Sequence, residues 1–275
     1  MKYKKAYIEI TNICNMSCSF CHGHKRELKR MSRDEFSLVL EKLKGQTEYI
    51  YYHLMGEPLT HPELPEFLKM AAGSGYKSII TTNGTLLHKR GGDLLKNLHK
   101  VNISLHSFEG DNEEQFDEYV CRLTDYAKSA ANQGIIVVFR LWNKGFDGGR
   151  NETAIRLLKR EIEGEWKENT RGVKIRERIF LEYGERFEWP DMEASDNGES
   201  VFCYGLRDQF GVLCDGTVVP CCLDSDGVIS LGNIFSEDIE KILNSERATA
   251  MAEGFKNRRA TEELCRKCGY AKRFK

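Results

Sequence analysis

The sequence holds no apolar run approaching the ~18 residues a membrane-spanning helix needs, and no apolar segment precedes its first strand-like stretch, which begins within ten residues of Met1. With neither a span nor a secretory signal, the expectation is a cytoplasmic protein that makes no use of a membrane. Net charge is also nearly absent: Lys+Arg 41 against Asp+Glu 42 leaves −1, so bulk electrostatics select no class of partner. There is no internal repeat and no low-complexity tract. What remains is a chain of 275 residues, 40% hydrophobic and 10% aromatic, which is the composition of a soluble globular protein. That length accommodates one barrel, or a domain of about 200 residues with a small appendage.

Cysteine, by contrast, is plentiful. Ten cysteines in a reducing compartment do not read as a disulfide framework, and metal binding becomes the default. The run "CSFCH", Cys18 to His22, matches a haem-attachment pattern, but that chemistry needs export and the chain has no export signal. In "TNICNMSCSFCHGH" (11–24), Cys14, Cys18 and Cys21 fall within eight residues with no fourth cysteine beside them. A closed structural site wants four protein ligands, so three suggest a metal centre with one open position. A zinc knuckle completed by His22 or His24 is the competing reading.

Six short runs rich in β-branched and aromatic residues read as strands, at 6–12, 49–55, 77–83, 100–106, 134–142 and 178–184. Between them, apolar residues recur at helical spacing: Phe36, Val39, Leu40 and Leu43; Leu64, Phe67, Leu68 and Ala71; Phe116, Val120, Leu123, Ala127 and Ala130. Such β/α alternation implies a parallel sheet or barrel. The strands show no polar alternation, which implies that both faces are covered. Several end in polar or small residues, and in β/α barrels those endings form the active site. From 185 to 199 the chain is acidic and broken by Pro190 and Gly198, reading as a linker or crossing segment. Beyond it come a hairpin around Asp215-Gly216, a helix near 236–253 and a cysteine-bearing end. The fold class expected is α/β: a partial (β/α)6 TIM-like barrel over 1–184, a linker over 185–199 and a small cysteine-rich domain over 200–275.

The C-x3-C-x2-C spacing, with the aromatic Phe20 before the last cysteine, resembles the signature of the radical S-adenosylmethionine (SAM) enzymes. The resemblance covers roughly residues 6–184. It implies a 4Fe-4S cluster on Cys14, Cys18 and Cys21 whose open iron is chelated by SAM, and reductive cleavage of SAM to a 5'-deoxyadenosyl radical that abstracts hydrogen from a substrate carbon. The family's "GGEP" stands here as "MGEP", Met55 to Pro58. By the same resemblance, Gly56 lets the backbone approach the methionine moiety, Glu57 accepts from its ammonium group, and Asn83 and Ser104 contact the SAM carboxylate or ribose. Arg140 pairs with that carboxylate or with substrate, or else with a neighbouring acid at the barrel rim.

Cys203, Cys221, Cys265 and Cys268 resemble the first half of the SPASM domain, an iron–sulfur appendage of many radical SAM enzymes. No cysteine follows Cys268, which fits the shortened twitch form found in aminocyclitol dehydrogenases. It implies one auxiliary 4Fe-4S cluster closed by four thiolates. The alternative from the residues alone is a zinc ribbon. Cys121 reads as a packing residue, and Cys214 and Cys222 as either bland hydrophobes or hydrogen-atom donors to a substrate radical. The expected activity is dehydrogenation of a small hydroxylated molecule, with modification of a ribosomally made peptide as the alternative. A zinc-binding nucleic-acid or scaffold protein is the alternative of another class. Against the peptide reading, a strand starting at about residue 6 leaves no room for an N-terminal leader-binding domain. Basic residues cluster at 24–30 and from Phe255 onward. A solvated surface is the expected role, or docking of an acidic one-electron donor such as flavodoxin or ferredoxin; no nucleic-acid motif accompanies them.

Overall fold

In the computed structural model, residues 2–94, 96–109 and 112–274 are described; Met1 and Lys275, the outer limits of the two expected domains, lie outside them. The strands are β1 (Lys5–Ile8), β2 (Tyr49–Tyr51), β3 (Lys77–Thr82), β4 (Leu98–Ser104), β5 (Ile136–Lys144), β6 (Lys167–Asn169), β7 (Gly172–Arg176), β8 (Ile179–Glu185), β9 (Gln209–Val212), β10 (Thr217–Val219) and β11 (Gly232–Asn233). The helices are α1 (Arg33–Lys42), α2 (Leu64–Gly73), α3 (Leu87–Leu94), α4 (Glu113–Asn132), α5 (Arg150–Glu161), α6 (Ile239–Leu243), α7 (Glu246–Lys256) and α8 (Glu263–Arg266).

All eleven strands form one sheet in the order β11-β10-β9-β1-β2-β3-β4-β5-β8-β7-β6. The six strands read from sequence, β1 to β5 and β8, run parallel, with helices α1 to α5 in the crossovers, so the barrel half of the fold is the one expected. The apolar sets named on α1, α2 and α4 are all buried. At their centre the rings of Phe36 and Phe67 stack at 4.3 Å, each removing a large apolar surface from water at about 2–3 kcal/mol per side chain. Ser32 caps α1 and Glu35 returns the bond, closing a capping box.

Three features differ from the sequence reading. The strands alternate after all: Ala6, Ile8, Ile50, Tyr52, Val101, Ile103, Phe139 and Leu141 lie under the helices. Their neighbours Lys5, Tyr7, Tyr51, Lys100, Ser104, Arg140 and Trp142 face an open interior. The mixed inner face, aromatic as well as charged, hid this period of two. Secondly, the region read as one helix is two, because Ser245 leaves the helical conformation and its hydroxyl accepts from Ala248 N–H. Thirdly, the β9–β10 hairpin forms around Gly216 (φ +86°) as expected, and β9 also pairs in parallel with β1, Lys5↔Gln209 through Ile8↔Val212. The sheet therefore runs on across the linker into the cysteine-rich segment. No described helix is long and apolar enough to cross a membrane.

Candidate functional site

The chain leaves β1 at Glu9, a fully buried carboxylate that organises everything around it. Its Oε1 accepts from Arg26 Nη2 at 2.6 Å and Met55 N–H at 3.2 Å, and its Oε2 from Cys214 N–H at 3.1 Å. The loop over 9–31 is then folded back by Asn12, which donates to Glu27 O at 2.8 Å and accepts from Lys29 N–H at 2.8 Å. His24 Nε2 lies 3.0 Å from Asn12 O. The basic run at 24–30 is thus not simply a solvated surface: Arg26, with 13% of its side chain exposed, is the counter-ion of Glu9.

The turn after β2 meets this loop at Gly56. Its φ is +73°, and a Cβ there would sit 2.4 Å from Thr11 O and 2.8 Å from the Asn12 carbonyl carbon, so only glycine allows the two backbones to touch. Next to it, the buried Glu57 accepts from Leu59 N–H at 3.0 Å and from Asn83 N–H at 2.8 Å. Burial pushes its pKa up to about 7, outweighing those hydrogen bonds. The Asn83 side chain donates to Asn15 Oδ1 at 3.0 Å, inside the cysteine loop. Gly56, Glu57 and Asn83 are therefore brought together beside the loop that carries Cys14 to Cys21.

Cys14 and Cys21 are exposed and Cys18 is half-buried. Cys18 Sγ lies 3.7 Å from Ser107 O, and Cys21 N–H donates to Cys18 O at 3.0 Å in a tight turn. Burial, then Glu109 and the other two cysteines, push the Cys18 thiol up to about 11; Cys14 is raised by burial and, more weakly, by Glu57 and Cys21. The repulsion among the cysteines is a lesser part of these shifts, and a bound cationic metal centre would reverse it. Among the described residues, no three His, Cys, Asp or Glu side chains are gathered closely enough for a single metal ion. The fit to an iron–sulfur cluster is one of donor chemistry: three thiols on one exposed loop beside a buried carboxylate.

The second cysteine set is likewise assembled. Cys203, Cys221, Cys265 and Cys268 all line a cavity of about 1540 Å³. Burial first, and then neighbouring thiols, raise their pKa values, Cys203 to about 11; Cys222 is among those neighbours for Cys203, Cys221 and Cys268. Phe20 of the first cysteine loop lines the same cavity, with its ring 4.9 Å from His106, as do Ser104 and Arg140. The linker is part of the site: Phe187, Trp189 and Pro190 line it, and Trp189 Nε1–H donates to Phe20 O at 3.1 Å. Arg140 Nε stands 3.6 Å from Glu182 Oε2, so the rim ion pair is present.

Cys222 lines the cavity beside the four, packed against the ring cluster of Tyr7 and Tyr51. Cys214 does not: its buried thiol accepts from Arg26 Nη1 at 3.6 Å and is pushed up to about 12 by burial and then Glu9. Packing and the Glu9 contact hold it away from the cavity that Cys222 lines. Cys121 lies on α4 and accepts from Arg160 Nη2 at 3.3 Å. The sequence reading missed Glu9, Arg26, His53 and the lysines of the inner face. Only Arg26 carried a signal, and its place in a basic run pointed the wrong way.

A radical SAM superfamily model matches residues 8–140, and a SPASM iron–sulfur cluster-binding domain model matches residues 203–269. A Pyrococcus furiosus "tungsten-containing aldehyde ferredoxin oxidoreductase cofactor-modifying protein" is 32% identical over 115 residues, 40% of this chain and 31% of that protein. A Sulfolobus acidocaldarius "probable GTP 3',8-cyclase" is 35% identical over 116 residues, 37% of this chain and 34% of that protein. The chain spans about a third of the length of these relatives. Among solved structures, BtrN in complex with AdoMet and 2-DOIA superimposes with a TM-score of 0.62 at 18% identity, over 97% of this chain and 92% of that one. Streptococcus suis SuiB bound to precursor peptide SuiA gives 0.57 at 16% identity, over 99% and 71%. At these identities the structural likeness is one of fold.

Proposed function

This chain belongs to the radical SAM superfamily and carries a SPASM-type iron–sulfur domain, and from that premise we propose that it oxidises a carbon centre of a hydroxylated substrate by hydrogen abstraction. It is an enzyme, so the zinc-scaffold alternative is set aside. The observation that carries the proposal is that Phe20 of the first cysteine loop and all four cysteines of the second set line one cavity.

Cys14, Cys18 and Cys21 would hold the family's 4Fe-4S cluster, which with SAM bound supplies one electron to the sulfonium and so yields a 5'-deoxyadenosyl radical that takes a hydrogen atom from substrate. Glu57 would receive the SAM ammonium: near neutral pH its carboxyl stands between two states, and an arriving cation would settle it as the carboxylate. Asn83 and Ser104 offer polar groups for the carboxylate or ribose, and the Phe20 ring closes one wall. Dehydrogenation also takes a proton and a second electron from the substrate. Cys203, Cys221, Cys265 and Cys268 would hold the electron acceptor as an auxiliary 4Fe-4S cluster, four thiolates leaving it no open position for substrate. His53 Nδ1 is buried at the cavity wall with no hydrogen-bond partner among the described residues. Burial, then Arg140 and Lys5, push that imidazole down to about 3, so it stays neutral and can accept a hydrogen bond that orients a substrate hydroxyl, while the released proton passes to solvent. A flavodoxin- or ferredoxin-type protein would provide the reducing electron.

A second reading, modification of a ribosomally made peptide, is favoured by one residue. Cys222 faces the cavity outside the four-cysteine set, where a hydrogen-atom donor for epimerisation would stand. The experiment for the proposal is dithionite-driven turnover of SAM by the anaerobically reconstituted protein, with 5'-deoxyadenosine quantified. Nucleoside from the wild type and at least about a hundredfold less from a Cys14/Cys18/Cys21→Ala variant is expected; equal background levels from both would overturn it.

A further inference from the structure

The inner face of the sheet carries more cations than its own acids can serve. Lys5 on β1, Lys100 on β4 and Arg140 on β5 face the cavity, where the acids are already engaged: Glu182 by Arg140, Glu48 by Lys77, Asp208 by Lys4 and Asp224 by the Val228 and Ile229 N–H groups. Neither the Lys5 nor the Lys100 ammonium has a hydrogen bond or ion pair among the described residues. Lys5 Nζ sits 5.2 Å from the ring centroids of both Tyr7 and Tyr51, which orient it without neutralising it. Arg140 Nε is buried without a hydrogen-bond partner, its ion-pair contact to Glu182 being long. Cations with unused donors on a half-buried wall cost stability, and a wall that keeps them is built for an anion.

We propose that the substrate carries an anionic group, a carboxylate or a phosphate, that docks on Lys5 and Lys100, with Arg140 further along the wall in register with Ser104. The inference rests on the radical SAM reading of the same cavity and narrows its substrate class. Burial holds both lysines below the usual ammonium range; repulsion from Arg140 and Arg171 adds to it, and Cys222 and Asp208 at Lys5 and Glu182 at Lys100 offset it only in part, a penalty that an arriving anion relieves. The placement also sets a length. Lys100 and Ser104 stand four residues apart on one strand, roughly 13 Å at the rise of a β-strand. The anionic handle is thus held away from the end of the cavity lined by Ser104 and Phe20, and the occupant is elongated: a polyol bearing a charged arm, or an acidic side chain on a longer chain.

The test is calorimetric titration of the reconstituted holoenzyme with inorganic pyrophosphate, with citrate, and with neutral myo-inositol, in wild type and in a Lys5→Met/Lys100→Met variant. Binding of pyrophosphate or citrate that is about a hundredfold weaker in the variant is expected, as two charge-assisted contacts are lost. Response to pyrophosphate alone identifies a phosphoryl handle and response to citrate alone a carboxylate handle, and either supports the proposal. Equal affinity in both proteins, or no anion binding by the wild type, overturns it. The variant's thermal midpoint without anions should be no lower than that of the wild type, and a folded Lys100→Met single variant serves if the double variant is not obtained. Nucleoside formation from SAM by the wild type is scored separately, so a failed radical reading is not confused with a failed anion site.

Discussion

Glu57 is a carboxyl held by two backbone N–H donors in a place that water does not reach, and the two influences oppose each other. Burial wins, moving its pKa from 4.5 to about 7. In the SAM-free protein the folded state therefore keeps a proton that the unfolded chain releases above 4.5. The stability this provides is fully present below that value and is lost as pH rises through about 7, a change on the order of 3 kcal/mol. Thermal midpoints between about pH 5 and 8 should fall with rising pH in the wild type and fall less in Glu57→Gln; parallel curves would contradict the account. Saturating SAM should reduce the difference, because its ammonium stabilises the charged form. At this scale the first cysteine set stood out by its spacing, whereas Gly56, Glu57, Asn83 and the second cysteine set were reached only through the family resemblance. Lys5, Lys100 and His53 were not legible, since a polar residue at every second position of a strand carries no motif until the face it occupies is known.

The elements were legible where β-branched runs and helical spacing were strong, and their ends were not. The runs at 6–12 and 49–55 overreach β1 and β2, whose ladders stop at Ile8 and Tyr51. Beyond β1 the chain turns at Glu9, which instead serves the neighbouring loops and takes the Met55 N–H past the end of β2. The antiparallel β6 and β7 went unread, "KEN" and "GVKIR" being too charged to look like strands. The Glu9–Arg26 pair ties β1, the first cysteine loop and the β9–β10 turn into one unit, with Glu9 wholly buried. Arg26→Met should strand that carboxylate and cost about 3–5 kcal/mol, a fall of roughly 10 °C in thermal midpoint. The Glu9→Gln/Arg26→Met double variant should recover much of the loss. Equal losses in the single and double variants would show that the pair is not what holds the loops.

At the scale of the whole molecule, the parallel pairing of β9 with β1 joins the cysteine-rich segment to the barrel sheet, so both cysteine sets are built on one scaffold. That pairing was not readable, because nothing in "QFGV" names its partner strand. Its consequence is functional: the linker and the second cysteine set close over the inner face of the barrel and share its cavity with Phe20, Ser104 and Arg140. The central claim, two iron–sulfur clusters serving one cavity, is tested most directly by counting iron and acid-labile sulfide per chain. The comparison is between the anaerobically reconstituted wild type and a Cys203/Cys221/Cys265/Cys268→Ala variant. About eight irons in the wild type and about four in the variant are expected. The same iron content in both proteins, or zinc in place of iron in the wild type, would contradict it.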